Sequence, residues 1–188
     1  MEDGNVYDTY LPRLRERIAA DLDGCSTILD FGCGGCGLTA FLAQRLRVPV
    51  VGVDLREEAF GTAQREARER HLDHLVTCVK ADAANLEEFK DGSFEGAVSV
   101  HVLHELADPR RTLREVLRVV APGGQLVNVD FPAGSEASRL WGEHYMTPAE
   151  AEALLAAAGA ESVACELIAE GNLMYLTARA PAEQSRTR

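Results

Sequence analysis

The chain has 188 residues, 46% of them hydrophobic and 26% charged, which is typical of a globular domain of ordinary size. Its net charge of −11 and its scattered basic residues lead us to expect no nucleic-acid partner, because phosphate binding depends on clustered Lys and Arg. Apolar runs stay well below the roughly 18 residues of a membrane span, and the N-terminus is acidic and polar, unlike a secretory signal, so we expect a cytoplasmic protein without a membrane span.

Short β-type runs alternate with longer helical runs over most of the chain, which predicts an α/β fold with a mostly parallel sheet. The predicted strands are 27–31, 50–54, 75–81, 97–100 and 125–130. Helices are predicted at 38–47 and 57–70, and a short helical turn at 85–90. A further helix is predicted to begin with Asp108 as N-cap and Pro109 at its first position, and to stop at Pro122.

The last part of the chain has a different pattern. Thr147 and Glu150 form a capping box at the start of a helix that Gly159 closes. Two strand-like runs follow, 161–168 and 173–180, and the four residues between them are too few for a crossover helix. We therefore expect this pair of strands to be antiparallel.

No linker of domain length interrupts these elements, so the sequence predicts one domain over residues 1–180 and a polar, disordered tail over 181–188. Five cysteines, an odd number, predict no disulfide framework. Cys33 and Cys36 form a C-x-x-C, which can indicate redox chemistry or a metal. Since no second pair accompanies it, we assign no metal ligands.

A glycine-rich turn follows the first predicted strand. Gly32, Gly34 and Gly37 fit the pattern G-x-G-x-x-G between a strand and a helix, where missing Cβ atoms let the backbone approach a ligand. This pattern alone occurs both in turns that bind dinucleotides and in turns that bind S-adenosylmethionine (SAM). Asp30, two residues before the first glycine, favours SAM. A carboxylate there suits a ligand with a cationic amino-acid end, such as SAM, better than a dinucleotide with its anionic pyrophosphate.

Carboxylates also end the next two predicted strands. Asp54 is placed to accept both ribose hydroxyls of either ligand, and Asp82 to reach an adenine amino group. An NAD-dependent oxidoreductase is an alternative, but Asp30, Asp82 and the antiparallel terminal hairpin disfavour it.

The ordered motifs together resemble those of class I SAM-dependent methyltransferases, especially small-molecule enzymes similar to the quinone-biosynthesis C-methyltransferases. The resemblance covers residues 25–180 and is carried by Asp30-Phe31-Gly32-Cys33-Gly34, Val53-Asp54, Ala81-Asp82-Ala83, residues 94–106 and Ala121-Pro122-Gly123-Gly124. It implies a Rossmann-like seven-stranded sheet with helices on both faces and an antiparallel seventh strand between the fifth and the sixth. It also implies an enzyme that transfers a methyl group from SAM, leaving S-adenosylhomocysteine (SAH).

The resemblance further assigns residues to the methionine side of SAM. The backbones of Gly32, Cys33 and Gly34 would line the methionine and ribose, and Asp30 would orient the amino-acid end through water. His101 would lie near the methionine amine.

The same resemblance assigns residues to the nucleoside. Asp54 would hold the ribose hydroxyls, and Leu55 would lie against the adenine face. Asp82 would accept from the adenine amino group, while the Ala83 amide would serve a ring nitrogen.

His101 and His104 are the candidate catalytic bases, because they lie where the chain leaves the fourth strand at the ligand-binding edge of the sheet. A base is needed only if the acceptor starts protonated. The family often has a second His directly after the first, but here that position is Glu105. The alternative is that His104 packs and hydrogen-bonds at the pocket wall.

The acceptor is expected to be a small molecule. Trp141 and Tyr145 precede the last helix, where the family's acceptor pocket often lies, and Tyr10 could fold over it from the N-terminal segment. Alternatively, these aromatics anchor the loop to the core. With only about 25 residues before the first strand and no cap domain, the cleft is lightly covered, which favours a homodimer, a large acceptor or a mobile arm. A SAM-binding protein without catalysis, and a thiol-bound acceptor such as arsenite, stay open as alternatives.

Overall fold

One β-sheet runs through the residues that the computed structural model describes, 6–57 and 60–182, without the side chains of 6–9, 63, 137 and 141. Its strands are β1 (Ile28–Phe31), β2 (Val50–Asp54), β3 (Val76–Lys80), β4 (Phe94–Val100), β5 (Val120–Asp130), β6 (Glu161–Ile168) and β7 (Leu173–Arg179). Their order is β3-β2-β1-β4-β5-β7-β6. β1 to β5 run parallel, and β7 is antiparallel to β5 and β6. The expected Rossmann-like sheet with its inserted antiparallel strand is confirmed.

Helices connect these strands and cover the sheet. They are α1 (Val6–Asp21), α2 (Gly37–Leu46), α3 (Phe60–Glu69), α4 (Pro109–Val119), α5 (Glu136–Trp141) and α6 (Pro148–Ala158), with short 3-10 helices at Leu103–Glu105 and Ala169–Gly171. The side chain of Asp108 caps α4 by accepting from the Arg111 N–H (3.0 Å). Thr147 and Glu150 form the predicted capping box of α6. Both helix starts are therefore confirmed.

Three local features differ from the expectations. Helices α1 and α5 were not predicted, although Leu14, Ile18 and Leu22 of the N-terminal segment lie at helical spacing and are buried. Pro122 does not stop α4: the helix ends at Val119, and β5 begins at Val120, whose backbone is already extended (φ −83°, ψ 136°). Pro122 and the two following glycines therefore lie within β5. The expected helical turn over 85–90 is a single turn, closed by the Phe89 N–H donating to the Leu86 carbonyl (2.9 Å).

Two large apolar clusters make up most of the core among the described residues, and a small third one holds Cys36 and Phe60. Of the two large clusters, one includes Leu113 of α4 and Leu155 of α6, and the other includes Leu14 of α1 and Leu42 of α2. Both clusters contain residues of the sheet, whose central strands are buried on both sides, as is usual for parallel strands. The sheet therefore holds the carboxyl ends of β1 to β5 rigidly at one edge, where open α/β folds bind their ligands.

Two sequence expectations concern the chain as a whole. Among the described residues, no helix combines the length and the apolar character needed to cross a membrane. Most of the tail expected at 181–188 lies outside the described residues, which end at 182.

Candidate functional site

The glycine turn lies directly after β1. Its backbone has positive φ at Gly32 (69°) and Gly34 (50°), a region that glycine adopts without cost. The N–H groups of Gly32 and Cys33 both donate to the Val53 carbonyl (2.8 and 3.1 Å), which fixes the turn against β2. A Cβ on Gly32 would meet the Val102 side chain, with Cγ1 at 2.7 Å, whereas a Cβ on Gly34 would have no atom within 4 Å. The first glycine thus serves packing within the protein, and the second faces open space.

A cavity of about 380 Å³ lies at this edge of the sheet. It is lined by Gly32, Gly34, Val53, Asp54, Leu55, Arg56, Ala81, Asp82, Ala83, His101, Val102, Glu105 and Leu106. All the predicted cofactor-binding residues except Asp30 and Cys33 are therefore brought to one cavity. A pocket of this size with few polar groups and apolar walls suits a small-molecule ligand.

Asp30 lies beneath the turn and is not one of the residues that line the cavity. Only 2% of it is exposed, and its Oδ2 accepts a hydrogen bond from the Thr39 hydroxyl of α2 (2.6 Å). Burial raises the pKa of Asp30 to about 6, although the bond from Thr39 opposes the shift. In this structure Asp30 therefore supports the turn from below, and any influence on a ligand is through its charge or through intervening groups.

Asp54 faces the cavity and also supports the turn. Its Oδ2 accepts from the Gly34 N–H (2.9 Å) and its Oδ1 from the Arg56 N–H (3.0 Å). Beside it, Leu55 is 64% exposed at the cavity wall. A large apolar side chain left in solvent at a pocket is suited to cover the face of a flat ring.

Asp82 and Ala83 form the far wall of the cavity, just beyond β3. Asp82 Oδ1 accepts a hydrogen bond from the Ala84 N–H (2.8 Å), and an isolated antiparallel β-bridge joins the backbones of Asp82 and Asn85. These contacts hold the loop and leave both predicted adenine-binding residues at the cavity.

A disulfide joins Cys36 to Cys78, which corrects the expectation drawn from the odd number of cysteines. The two residues are 42 positions apart in the chain, and the fold brings their Cα atoms to 6.7 Å by placing α2 beside β3. The Cys33 sulfur lies 3.4 Å from that of Cys36, and burial raises the pKa of Cys33. Among the described residues, no group of three or more His, Cys, Asp or Glu is placed to hold a metal ion.

His101 lines the cavity just after β4, with positive φ (59°) and its N–H donating to the Val129 carbonyl (2.8 Å). Its ring stacks on Phe131 at 4.1 Å between centroids. Burial lowers the pKa of His101 to about 4, and the charge of Asp130 opposes this shift only in part. The imidazole is therefore neutral at physiological pH and a weak base.

His104 is paired with Asp130, which ends β5. The Asp130 carboxylate accepts a hydrogen bond from the backbone N–H of His104 through Oδ2 (2.9 Å), and its Oδ1 lies 2.7 Å from Nδ1 of the His104 ring. The side chains are 7% and 0% exposed. Burial alone would lower the pKa of His104, but the hydrogen bond and the charge of Asp130, with Glu105 and Glu143, raise it. Glu105, the next residue, lines the cavity, so this pair adjoins it.

The other ring nitrogen of His104 meets the segment between α5 and α6. Its Nε2 lies 3.2 Å from Glu143 Oε2, and the Tyr145 hydroxyl donates to the same oxygen (3.0 Å). The Tyr145 ring is 4.6 Å from the His104 ring. Burial, with Glu143, raises the pKa of Tyr145 to about 12. Tyr145 therefore lies beside the candidate base, but it is only 5% exposed within an apolar core cluster, which fits the anchoring alternative as well as substrate contact.

The two other predicted acceptor residues are less informative. Trp141 is the last residue of α5, but its side chain lies outside the described part of the structure. Tyr10 belongs to α1 and packs, half-buried, against the cluster that contains Phe131 and Tyr145. Its position on that side of the fold fits either an anchoring role or a wall of the acceptor pocket.

Sequence reasoning missed Asp130 and Glu143. Asp130 had a usable signal, because it ends a predicted strand at the ligand-binding edge, as Asp54 does on β2. Glu143 had none, since it lies in a connection without periodic pattern.

A seven-stranded sheet with this order, a glycine turn after β1 and carboxylates at the cavity together define the class of SAM-dependent methyltransferases. Residues 29–128, just over half of the chain, match the family described as "Methyltransferase domain". The chain belongs to that family, and the resemblance seen in its motifs is confirmed.

Two curated relatives illustrate the breadth of the family. The chain is 33% identical over 132 residues to 27-O-demethylrifamycin SV methyltransferase of Amycolatopsis mediterranei, covering 66% of this chain and 48% of that protein. It is 37% identical over 106 residues to demethylmenaquinone methyltransferase of Thermus thermophilus, covering 56% and 47%. The chain thus spans about half the length of these relatives.

Solved structures show the same fold. A SAM-dependent methyltransferase from Aquifex aeolicus superimposes with a TM-score of 0.75 at 19% identity, covering 95% of this chain and 94% of that one. The [4+2]-cyclase SpnF superimposes with a TM-score of 0.82 at 23% identity, covering 97% and 85%. Since SpnF is described as a cyclase, the fold by itself does not fix the reaction.

Proposed function

We propose that this chain transfers a methyl group from SAM to a small-molecule acceptor that starts with a proton on its reacting atom, with His104 as general base. The observation that carries the proposal is the buried His104–Asp130 pair, held next to the cavity that contains the predicted cofactor-binding residues. The curated relatives support a small-molecule acceptor, since one is named for a rifamycin and another for a demethylmenaquinone.

The cavity fits SAM in its polar and apolar parts. Asp54 would hold the ribose hydroxyls, Leu55 would cover the adenine, and Asp82 with the Ala83 amide would meet its edge. The open side of Gly34 leaves room for the methionine part. SAM supplies the chemistry, an electrophilic methyl group on a sulfonium. The protein supplies alignment of the acceptor and exclusion of water.

The pairing of His104 decides which nitrogen can accept a proton. Asp130 Oδ1 at 2.7 Å holds the proton on Nδ1, so Nε2 of the neutral ring carries the lone pair. The raised pKa of His104 makes this nitrogen a better proton acceptor near neutral pH than an ordinary imidazole. Asp130 thus orients the ring, and stabilises the imidazolium once the proton has moved to Nε2.

The direct test measures conversion of SAM to SAH with a panel of phenols, quinols and amines. With an active acceptor, His104→Gln and Asp130→Asn should reduce turnover about 10²- to 10⁴-fold, the usual contribution of a general base. Calorimetric affinity for SAH should stay within about threefold, because neither residue is assigned to the cofactor. Full turnover by His104→Gln would refute its role as base. If SAM and SAH failed to bind, the cofactor assignment would be wrong, whereas tight binding with no turnover across the panel would favour the non-catalytic alternative.

A homodimer also belongs to this proposal. It is supported by Leu140 of α5, a large apolar side chain that is 70% exposed. Light scattering of the eluted protein, with Leu140→Ser as the variant, tests it: a monomer at all concentrations would contradict it. The cytoplasmic location stays a prediction.

A further inference from the structure

The ring nitrogen of His104 that must receive a proton from the acceptor already contacts a carboxylate of the protein. Nδ1 of the ring is held by Asp130, so Nε2 is the nitrogen that the acceptor has to reach. In the structure a carboxylate oxygen of Glu143 lies 3.2 Å from Nε2, and the Tyr145 hydroxyl donates to that same oxygen. A heavy atom within this distance of Nε2 stands where the reacting atom of an acceptor would make its hydrogen bond.

We propose that Glu143 occupies the acceptor's place on His104, and that its carboxylate swings away from Nε2 when the acceptor binds. Glu143 is thereby a specificity-determining residue of the acceptor site. The link to methyl transfer rests on the proposed function, but the occupancy of Nε2 by Glu143 can be tested without any turnover.

The Glu143 side chain can move away from His104, whereas the buried Asp130 side chain cannot. Its side chain is 53% exposed, compared with 7% for His104 and 0% for Asp130. It lies in the non-helical connection between α5 and α6, directly after Gly142, whose positive φ (67°) ends α5. Ion pairs that involve half-exposed side chains are weak, so an acceptor can displace this carboxylate while the buried Asp130 bond persists.

The charges around His104 restrict the class of acceptor. Asp130 faces the ring from β5, Glu143 from the α5–α6 connection and Glu105 from the same 3-10 helix, while the neutral groups are His101 and the Tyr145 hydroxyl. While His104 is neutral, as its role as base requires, it compensates none of these three carboxylates, so the acceptor enters surroundings with excess negative charge. An acceptor with a neutral hydroxyl or an amine next to the reacting atom fits it, and one with a carboxylate or phosphate there is repelled.

Acylation of His104 by diethyl pyrocarbonate measures access to Nε2 directly, because the reagent attacks the unprotonated nitrogen of imidazole. The rate at His104 is followed by mass spectrometry of its peptide, with SAH present. Glu143→Ala should raise the rate about two- to fivefold at pH values below the His104 pKa, because the variant removes the weak ion pair that holds the protonated ring through Nε2. At high pH the rates of wild type and variant should converge, since the neutral ring forms no ion pair with Glu143.

Matched controls fix the meaning of that rate. Glu136→Ala removes an exposed carboxylate from the start of α5 and should leave the His104 rate unchanged. The exposed His74 serves as internal reference and should react equally in all variants. Unchanged SAH affinity shows that Glu143→Ala is folded. Equal rates at His104 in wild type and Glu143→Ala below the His104 pKa would overturn the inference.

The class of acceptor is tested in the same experiment. In Glu143→Ala, phenol or benzylamine should protect His104 from acylation, and benzoate should not; protection by benzoate would overturn the charge argument. The two levels of proposal fail separately. Loss of the Glu143 effect refutes only the occupancy, whereas full turnover by His104→Gln refutes the base and leaves the acylation result standing.

Discussion

Asp54→Asn separates two tasks that the structure gives to one carboxylate. In the folded protein its two oxygens accept from the Gly34 and Arg56 N–H groups at 2.9 and 3.0 Å. The proposed site adds the two ribose hydroxyls of SAM to the same carboxylate. Asparagine has nearly the same shape but keeps one acceptor oxygen, and its NH₂ group would face an N–H that has lost its partner.

The size of the effect follows from these bonds. A hydrogen bond to a charged group contributes about 1.5–3 kcal/mol. The side chain of Asp54 is only 9% exposed, so water compensates little for the loss. We expect the unfolding free energy without cofactor to fall by about 1.5–3 kcal/mol, through one lost turn bond. Loss of one ribose bond should weaken SAH binding by a similar free energy, which is about 10- to 150-fold in Kd.

Urea unfolding of the cofactor-free protein and calorimetry with SAH measure the two effects separately. Asp73→Asn is the matched control, because Asp73 is exposed between α3 and β3 and should change neither quantity. Lower stability with SAH affinity within a factor of about two would refute the ribose placement. Unchanged stability would refute the role assigned to Asp54 in the glycine turn.

Two further predictions concern the turn and the base. Gly34→Ala and Gly24→Ala both place a side chain at positive φ in open space, so each should cost about 1–2 kcal/mol of stability. Only Gly34→Ala should weaken SAH binding. Equal affinities of the two variants for SAH would contradict the assignment of the glycine turn to the cofactor. For His104, burial lowers the pKa but Asp130 raises it above the unfolded value, so its contribution to stability is complete below about pH 6.5 and is lost as the pH rises through the folded pKa. The unfolding free energy of wild type minus that of His104→Gln should therefore decrease from about pH 6 to pH 9, and a constant difference would contradict the pairing.

Features with a local signal could be predicted from the sequence. The glycine turn, the capping box at Thr147 and the short connection between β6 and β7 each depend on residues that are neighbours in the chain. Their physical causes act over a few residues. These causes are a positive φ, a side chain that accepts a hydrogen bond from a backbone N–H at the helix start, and a loop too short for a crossover helix. The cavity residues followed because parallel strands bring their carboxyl ends to one edge.

Features that depend on register could not be predicted in the same way. His104 and Asp130 are 26 residues apart, and they meet because β4 and β5 pair with Val100 opposite Val129. The sequence predicted both strands but neither their pairing nor its register. The contact with Glu143 requires, in addition, the path of an irregular connection, for which no pattern exists.

Asp30 shows how burial gives one residue type a different role at the same edge of the sheet. Asp54 and Asp82 face the cavity, but Asp30 lies beneath the turn, and burial raises its pKa to about 6. Since the folded pKa exceeds the unfolded value, the carboxyl stabilises the fold at low pH, and this contribution is lost as the pH rises through about 6. The protein thus carries a costly charge under the turn at neutral pH, which we expect to act on the cationic amino-acid end of SAM.

Asp30→Asn tests that reasoning, because asparagine can still accept from the Thr39 hydroxyl but carries no charge. At pH 7 the variant should be more stable than wild type without cofactor, by up to about 3 kcal/mol, and this advantage should disappear near pH 4 in urea titrations. Its affinity for SAH should nevertheless decrease. A variant that is more stable and binds SAH as tightly as wild type would show that the buried charge has no part in cofactor binding, whereas a less stable variant at pH 7 would contradict the burial argument itself.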